Sequence, residues 1–195
     1  MKESYLFLAD GFEEIEALTP VDVLRRAGMK VNTVSISSSR QVTGAHGVNV
    51  MADLVFDPVL FKSIDWLILP GGMPGASNLY DFAPLQGLLK AHDKEGGKIA
   101  AICAAPAVVL GQLGLLEGQK ATCYPGFEEL CKGAEMIDEP VVVSNNFVLG
   151  NGPANALPWA LTIVKEALGE QTADNVANAM LRYTNSSEGA DFSFG

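Results

Sequence analysis

Cys103 is the residue whose surroundings most favour chemistry. It follows an apolar run, Lys98–Ile102, that is typical of a buried strand, and it directly precedes a helical pattern over Ala105–Gly114. Small residues surround it, as a nucleophile on a sharp strand-to-helix turn requires. The start of the helix offers free N–H groups, which we expect to lower the pKa of the thiol. The same spacing is equally typical of a buried, unreactive cysteine.

Two glycines follow another apolar run, Trp66–Leu69. The backbone N–H groups of Gly71 and Gly72 could approach a substrate oxygen, and with the N–H of Ala104 they would form an oxyanion hole. A tight turn explains a Gly-Gly pair as well, and on spacing alone it is the commoner explanation. Neither G-x-G-x-x-G nor G-x-x-x-x-G-K-[ST] occurs in the chain, so the pair is not a phosphate-binding fingerprint.

Acidic residues open the first predicted helix, Glu13–Ala27. Glu13 and Glu14 are interpreted as ordinary complements of the helix dipole. Glu16 lies one turn further in and could point towards the edge of the sheet that carries Cys103. A carboxyl buried there would have a raised pKa, and it could donate a hydrogen bond to a thiolate or move protons. Spacing alone favours an exposed position for Glu16.

The histidines and the other two cysteines do not suggest a metal site. His92 lies among charged residues on what the pattern indicates is a solvated helix face, and His46 lies in a glycine-rich region. Neither has the spacing of a metal ligand to another histidine or cysteine, and no C-x-x-C occurs. We therefore predict no metal and no other cofactor. Cys123 and Cys131 are interpreted as structural thiols.

The elements that would position these residues alternate between strands and helices. The predicted strands are Tyr5–Ala9, Val31–Ile36, Trp66–Leu69, Lys98–Ile102 and a hairpin of Val141–Ser144 with Phe147–Leu149, with one or two short strands or a hairpin within Gln41–Phe56. The predicted helices are Glu13–Ala27, Pro84–Lys94, Ala105–Gly114, Ala156–Ala167 and Thr172–Arg182. This order predicts an α/β fold, a doubly wound and mostly parallel sheet between helices.

Three loops are expected to meet at one edge of that sheet. They span residues 9–16, 70–75 and 102–106, and each follows a predicted strand. In an open parallel sheet, ligands bind at the carboxyl ends of the strands, where such loops gather. The pattern therefore predicts that Cys103, the Gly-Gly pair and the acidic helix start lie close together.

Composition restricts the class of protein. The 195 residues are 48% hydrophobic and 18% charged, which is typical of one globular domain over 1–195, with a loose Ser- and Gly-rich tail over 184–195. A net charge of −10 without a basic run argues against nucleic acid or an anionic membrane as a partner.

One apolar stretch, Ile99 to Leu116, is long enough to suggest a membrane span. Pro106 and two glycines interrupt it, so a buried strand followed by a buried helix is favoured. The start of the chain lacks the pattern of a secretory signal, and three cysteines do not suit a disulfide framework. We expect a cytoplasmic protein.

Several segments together resemble the ThiJ/PfpI superfamily, in the branch of the parkinsonism-associated deglycase (DJ-one). The resemblance covers roughly Ser4 to Leu181 and is carried by Ala9–Glu16, Pro20–Gly28, Leu69–Gly72, Ala100–Pro106 and Gly152-Pro153. It implies a flavodoxin-like fold, similar to the class I glutamine amidotransferases, and a homodimer with each site near the subunit interface.

The resemblance also implies roles for individual residues. It matches Cys103 to the family's oxidisable nucleophile and Glu16 to the carboxyl that hydrogen-bonds its sulfur. It matches Gly72 and Ala104 to the backbone donors that hold the substrate oxygen or an oxidised cysteine, with Gly71 beside them.

The chain departs from the family pattern at three positions. Tyr124 stands in Thr122-Cys123-Tyr124-Pro125 where members with a Cys/His pair carry the histidine, and tyrosine is a poor general base at neutral pH. Ala104 replaces the histidine that follows the nucleophile in the protease-like branch, which argues against a peptidase. His46 occupies the position of an interface arginine in some relatives, so dimer contacts are expected to differ.

Two functions are compatible with these residues. The first is a glyoxalase- or deglycase-like enzyme in which the Cys103 thiolate adds to a small carbonyl substrate, a 2-oxoaldehyde such as methylglyoxal, while Glu16 moves protons. The alternative is a redox-sensing stress-response protein whose Cys103 oxidises to sulfinic acid without significant turnover. The missing histidine favours the alternative, although both functions depend on the same site.

Overall fold

The computed structural model describes residues 2–182, and its centre is a seven-stranded sheet. In chain order the strands are β1 (Glu3–Leu8), β2 (Val31–Ser35), β3 (Gln41–Thr43), β4 (Asn49–Met51), β5 (Leu54–Val55), β6 (Ile64–Leu69), β7 (Lys98–Ile102), β8 (Lys120–Ala121), β9 (Glu135–Met136), β10 (Val141–Ser144) and β11 (Phe147–Gly150). The large sheet has the order β10-β11-β7-β6-β1-β2-β5, and β3-β4 and β8-β9 form two small sheets. In the large sheet only β10 and β11 pair antiparallel.

Helices cover both faces of the large sheet. The α-helices are α1 (Glu14–Arg26), α2 (Gly75–Asp81), α3 (Ala83–Lys94), α4 (Ala156–Leu168) and α5 (Glu170–Ala179). A π-helix spans Pro106–Gly111, and 3₁₀ turns span Pro58–Leu60, Glu128–Leu130 and Pro153–Asn155. One core contains side chains of α1, α4 and α5, and the other contains those of α2, α3 and the π-helix. The predicted doubly wound architecture is therefore confirmed.

The central strands are apolar throughout because both of their faces are covered. In β1, Leu6 and Leu8 face the core beneath α1 and α4, whereas Tyr5 and Phe7 face the core beneath α2 and α3. Continuous apolar runs are typical of parallel strands buried on both faces. This is why short runs such as Trp66–Leu69 identified the strands correctly.

The predicted elements differ from the observed ones where glycine and proline obscure the pattern. The helix predicted over Ala105–Gly114 is a shorter π-helix, and α2 was not predicted because the Gly-Gly-Met-Pro-Gly sequence before it suggests a loop. The region 41–56 contains the hairpin β3–β4 and also β5, which joins the large sheet.

The expectation of a solvated His92 is wrong. The ring is buried beneath Gly97, and its Nε2 lies 3.2 Å from the carbonyl oxygen of Lys98. Burial is the largest influence on its pKa, which is lowered. The charged neighbours in the sequence lie around the helix, but His92 itself faces the sheet.

The apolar stretch from Ile99 to Leu116 consists of β7, the π-helix and the turn after it. Within residues 2–182, no helix combines the length and apolar character needed to cross a bilayer. The loose tail expected over 184–195 lies outside the described residues.

Candidate active site

The three loops predicted to meet do meet at the carboxyl edge of β1, β6 and β7. The N–H of Glu13 donates to the carbonyl of Gly71 at 3.0 Å, and the N–H of Gly75 donates to that of Gly11 at 3.2 Å. Cys103, directly after β7, packs against Gly71. The topology thus brings together residues that are far apart in the chain.

Cys103 stands on a sharp turn with a left-handed backbone. Its φ is 63°, a conformation that costs a non-glycine residue about 1–3 kcal/mol. Hydrogen bonds hold it there: its N–H donates to Gly150 at 2.9 Å, and its carbonyl accepts the N–H of Tyr124 at 2.8 Å. The predicted strand-to-helix turn is therefore present, and the strain is a first indication that the thiol is positioned for chemistry.

Gly71 allows Cys103 and Glu16 to face each other. A Cβ on Gly71 would lie 2.7 Å from the Cβ of Cys103 and 2.8 Å from Oε2 of Glu16, closer than real Cβ contacts permit. No other residue fits there without displacing the thiol or the carboxyl. The Gly-Gly pair is therefore more than a tight turn.

Glu16 is completely buried, which contradicts the exposed position that its spacing favoured. Its Oε2 accepts the N–H of Gly71 at 2.9 Å, whereas the buried Oε1 has no partner of its own among the described N–H and O–H groups. Burial raises the pKa of Glu16 to about 7, and contacts with Cys103 and the Gly71 N–H oppose this rise. A proton on this carboxyl belongs on Oε1, because Oε2 already accepts a hydrogen bond.

The expected lowering of the Cys103 pKa is not found. Burial and the adjacent Glu16 carboxylate raise the pKa of the thiol to about 12, although the N–H groups of Gly72 and Ala104 both stabilise the thiolate. The carboxylate outweighs the start of the helix because it carries a full charge beside the sulfur. When Glu16 holds a proton, this repulsion disappears. The two groups therefore titrate as a pair.

Tyr124 lies beside the Cys103 turn, as the sequence match suggested. Its backbone is tied to Cys103, its ring packs edge-on against Phe127 at 6.4 Å between centroids, and its side chain is 46% exposed. The ring thus lies partly exposed on a segment whose backbone is bonded to the Cys103 turn.

The contact between His46 and Glu14 has no clear signature in the sequence. The buried Glu14 carboxylate accepts hydrogen bonds from the backbone N–H and the ring Nδ1–H of His46, both at 2.8 Å, and so holds the β3–β4 hairpin against α1. Burial favours a higher pKa for Glu14, but the hydrogen bonds from His46 outweigh it and lower the pKa. Glu13 caps α1 by accepting the N–H of Glu16 at 2.8 Å. Only the glycines of the hairpin indicated that a side chain could pack there.

Among residues 2–182, one group of side chains brings enough donor atoms together for a cation. The donor atoms of Glu13, Glu14 and His46 lie within 4.8 Å of one another. Because Glu14 already accepts N–H groups from the hairpin, structural hydrogen bonds account for this cluster.

Comparison with known proteins identifies the family of this chain. A family model described as the DJ-1/PfpI family matches residues 2–166. Protein DJ-1 homolog B of Arabidopsis thaliana is 36% identical over 185 residues, which are 94% of this chain and 42% of the relative. The chain thus spans less than half the length of that relative.

Two further relatives carry the names of enzymes. A glutathione-independent glyoxalase of Caenorhabditis elegans is 35% identical over 166 residues, 84% of this chain and 87% of the relative. A deglycase of Pyrococcus horikoshii is 35% identical over 164 residues, 82% of this chain and 96% of the relative. Among solved structures, oxidised DJ-1 of Toxoplasma gondii has a TM-score of 0.89 and 38% identity, covering 93% of this chain and 98% of that one.

Proposed function

The chain belongs to the DJ-1/PfpI family, and from this premise we propose that it is a glyoxalase- or deglycase-like enzyme whose nucleophile is Cys103. The observation that carries the proposal is the buried pair of Cys103 and Glu16. A pKa of about 7 lets Glu16 both accept and release a proton near neutral pH. The substrate class that fits is a small 2-oxoaldehyde, since its aldehyde carbon is open to attack by sulfur.

The first step joins the thiol to the aldehyde. The ionised Glu16 accepts the Cys103 proton as the sulfur bonds to the aldehyde carbon, and the carbonyl electrons move onto oxygen. The N–H groups of Gly72 and Ala104, which already point at the sulfur, hold that oxyanion. Glu16 then passes its proton to the oxygen, which gives a hemithioacetal and restores the carboxylate.

The second step isomerises the adduct. The Glu16 carboxylate removes the proton from the carbon that bears sulfur, and the electrons move through an enediol. Glu16 returns this proton to the neighbouring carbon, and the hydroxyl proton on the sulfur-bearing carbon moves to the former ketone oxygen, which leaves a 2-hydroxyacyl thioester on Cys103. Water adds to this thioester and cleaves its C–S bond, which releases the 2-hydroxy acid and restores the thiol. The oxidation of one carbon balances the reduction of the other.

Tyr124 has a binding role in this proposal. A neutral tyrosine can donate or accept one hydrogen bond, but it is a poor base near pH 7. Its partly exposed ring, on a segment whose backbone is bonded to Cys103, suits contact with the substrate, and Glu16 carries the proton transfers.

Turnover of methylglyoxal to lactate tests the proposal. Cys103→Ala removes the nucleophile, and Glu16→Gln keeps the size of the side chain but loses the base, so each is expected to lower kcat by about 10²–10⁴-fold. In the wild type, kcat/KM is expected to rise with pH through about 7, where Glu16 ionises. Matched controls are Glu166→Gln and Glu170→Gln, two exposed carboxylates on the C-terminal helices α4 and α5. Wild-type lactate formation by both site variants would disprove the assignment.

A redox-sensing role is the second candidate, and the unpartnered Oε1 of Glu16 favours it. A protonated Oε1 and the N–H groups of Gly72 and Ala104 are donors that would stabilise a sulfinate on Cys103. After mild hydroperoxide, intact mass should show two added oxygens, mapped to Cys103. Glu16→Leu removes this donor at nearly the same size, so the same product should be less stable towards further oxidation in that variant. Equal oxygen uptake by every thiol would argue against this role.

We also propose that the chain forms a homodimer, as the resemblance implies. Large apolar side chains are exposed on α1 and on the hairpin that Glu14 holds against it: Ile15, Leu18, Val48 and Met51. Exposed apolar side chains in one region commonly mark an interface between proteins. Since Ile15 adjoins Glu16, such an interface would lie near the site.

A further inference from the structure

Three backbone N–H groups join Glu13, Gly71 and Glu16 in a closed ring of hydrogen bonds. The N–H of Glu13 donates to the carbonyl of Gly71 at 3.0 Å, and the N–H of Gly71 donates to Oε2 of Glu16 at 2.9 Å. The N–H of Glu16 completes the ring by donating to Oε2 of Glu13 at 2.8 Å. The position of the Glu16 carboxyl relative to the loop after β6 therefore depends on the side chain of Glu13.

Capping of α1 does not by itself account for a glutamate at position 13. Ser, Thr, Asp and Asn are the preferred N-cap residues, because the oxygen of a short side chain lies close to the N–H groups of the first turn. The Glu13 side chain is enclosed, with 11% of its surface exposed, and a Cβ on Gly72 would lie 2.4 Å from its backbone N. A carboxylate in this enclosed place is little screened by solvent, so its charge acts on its neighbours.

The charge of Glu13 acts on Glu16. Burial is the largest cause of the raised pKa of Glu16, and repulsion from Glu13 raises it further, whereas Cys103 and a backbone N–H of the loop after β6 oppose the rise. On its outer side Glu13 faces His46, whose Nδ1 lies 4.0 Å from Oε1. That nitrogen lies 2.8 Å from the Glu14 carboxylate, so the charge of His46 is paired with Glu14 and the charge of Glu13 remains directed at the site.

We propose that Glu13 is a positioning residue of the site, which orients Glu16 through the hydrogen-bond ring and makes it hold its proton to higher pH through its own negative charge. The inference deepens the proposed enzyme and rests on it, because Glu16 moves the protons of that reaction. Like charges disfavour each other, so without the charge of Glu13 the carboxyl of Glu16 would ionise at lower pH. Glu13 thus helps to keep the proton affinity of Glu16 in the neutral range, where it can both accept and release a proton.

Carboxyl NMR of the protein with ¹³C-labelled glutamate measures the ionisation of Glu16, whose signal is the one absent from Glu16→Gln. In Glu13→Gln the amide oxygen can still accept the N–H of Glu16 but the charge is gone, so the Glu16 midpoint should fall by about half a pH unit. Glu13→Asp keeps a charged cap and should stay closer to the wild-type midpoint. The matched control is Asp57→Asn, which replaces the carboxylate that accepts the N–H of Val59 at 3.0 Å in the 3₁₀ turn after β5. It should leave the Glu16 midpoint unchanged.

Turnover of methylglyoxal separates the effect of the charge from the effect of the hydrogen-bond ring. In Glu13→Gln the pH profile of kcat/KM should move to lower pH by the same amount as the midpoint, and kcat at high pH should be retained because the ring is intact. Glu13→Ala loses the ring as well, so its kcat should fall by about 10-fold at every pH.

The NMR midpoint tests the role of Glu13 without any assumption about the reaction. A lowered midpoint in a protein that does not turn over methylglyoxal would support this role and disprove the enzyme. An unchanged or raised midpoint in Glu13→Gln, or an equal fall in Asp57→Asn, would overturn the role of Glu13. An unfolded Glu13→Gln would overturn it as well, since Glu13 would then serve the fold.

Discussion

At the residue scale, the central feature is a carboxyl and a thiol that share one buried space. Glu16 has no exposed surface, and the charge on either group disfavours charge on the other. The pair is therefore uncharged below about pH 7 and carries one negative charge, not two, above it. A pair in this state can move a proton without creating a second buried charge, which both proposed functions of Cys103 require.

The burial of Glu16 predicts a dependence of stability on pH. Its pKa is about 7 in the folded protein, against 4.5 for an exposed carboxyl, so the folded state binds the proton more tightly than the unfolded chain. The free energy of unfolding should therefore fall as pH rises from 4.5 to 7, by up to about 3 kcal/mol from this group. Urea unfolding of the wild type and of Glu16→Gln at several pH values measures this. The variant should lack this contribution, and parallel curves for both proteins would contradict it.

The sequence was sufficient to identify the chemical groups but not their surroundings. Cys103 and the Gly-Gly pair were recognisable because a reactive turn and a close backbone approach restrict the residues next to them. The burial of Glu16 was not recognisable. An acidic residue in the first turn of a helix gives the same sequence pattern whether or not a loop covers it. The covering loop follows β6, which is remote from Glu16 in the sequence.

At the element scale, the loop after β6 determines the geometry of the site. Gly71 lies where any side chain would strike Cys103 and Glu16. Gly72 has a φ of +87°, which favours glycine and directs its N–H at the sulfur. Both glycines are required for the loop to close over the pair.

Gly71→Ala tests this role of the loop. The new Cβ must displace Cys103 or Glu16, so kcat should fall by about 10²-fold while the fold is retained. The control is Gly87→Ala in α3, where a Cβ meets no atom within 4 Å; it should leave turnover unchanged and stabilise the protein by about 0.5–1 kcal/mol. Methylglyoxal turnover and thermal unfolding of both variants are the measurements. Equal activity of the two would contradict this role.

The element boundaries show where sequence patterns are reliable. The strands β1, β2, β6 and β7 were predicted within a few residues because burial on both faces leaves continuous apolar runs. The helix α2 was missed since its first turn contains glycine and follows a proline, which usually indicate a loop. The π-helix was predicted as an ordinary helix, because the two types share an apolar pattern over so few residues.

At the scale of the whole molecule, the exposed apolar surface of α1 and its hairpin predicts association. Leu18→Glu would place a charge in the proposed interface and should convert a dimer into a monomer. Val59, 62% exposed and located in the 3₁₀ turn after β5, offers the matched control, because Val59→Glu should leave the dimer intact. Light scattering coupled to size exclusion measures the mass of each. A monomeric wild type would contradict the proposal.

The left-handed backbone of Cys103 sets activity against stability. The turn places a residue with a side chain in a backbone conformation that favours glycine. The resulting strain lowers the free energy of unfolding, and the protein tolerates it in order to keep a sulfur at this point. Cys103→Gly should relieve this strain and unfold about 2–4 °C higher than Cys103→Ala, for roughly 1 kcal/mol gained. Of these two inactive variants, Cys103→Gly should therefore have the higher unfolding temperature. Selection for thermal stability alone would therefore remove the nucleophile.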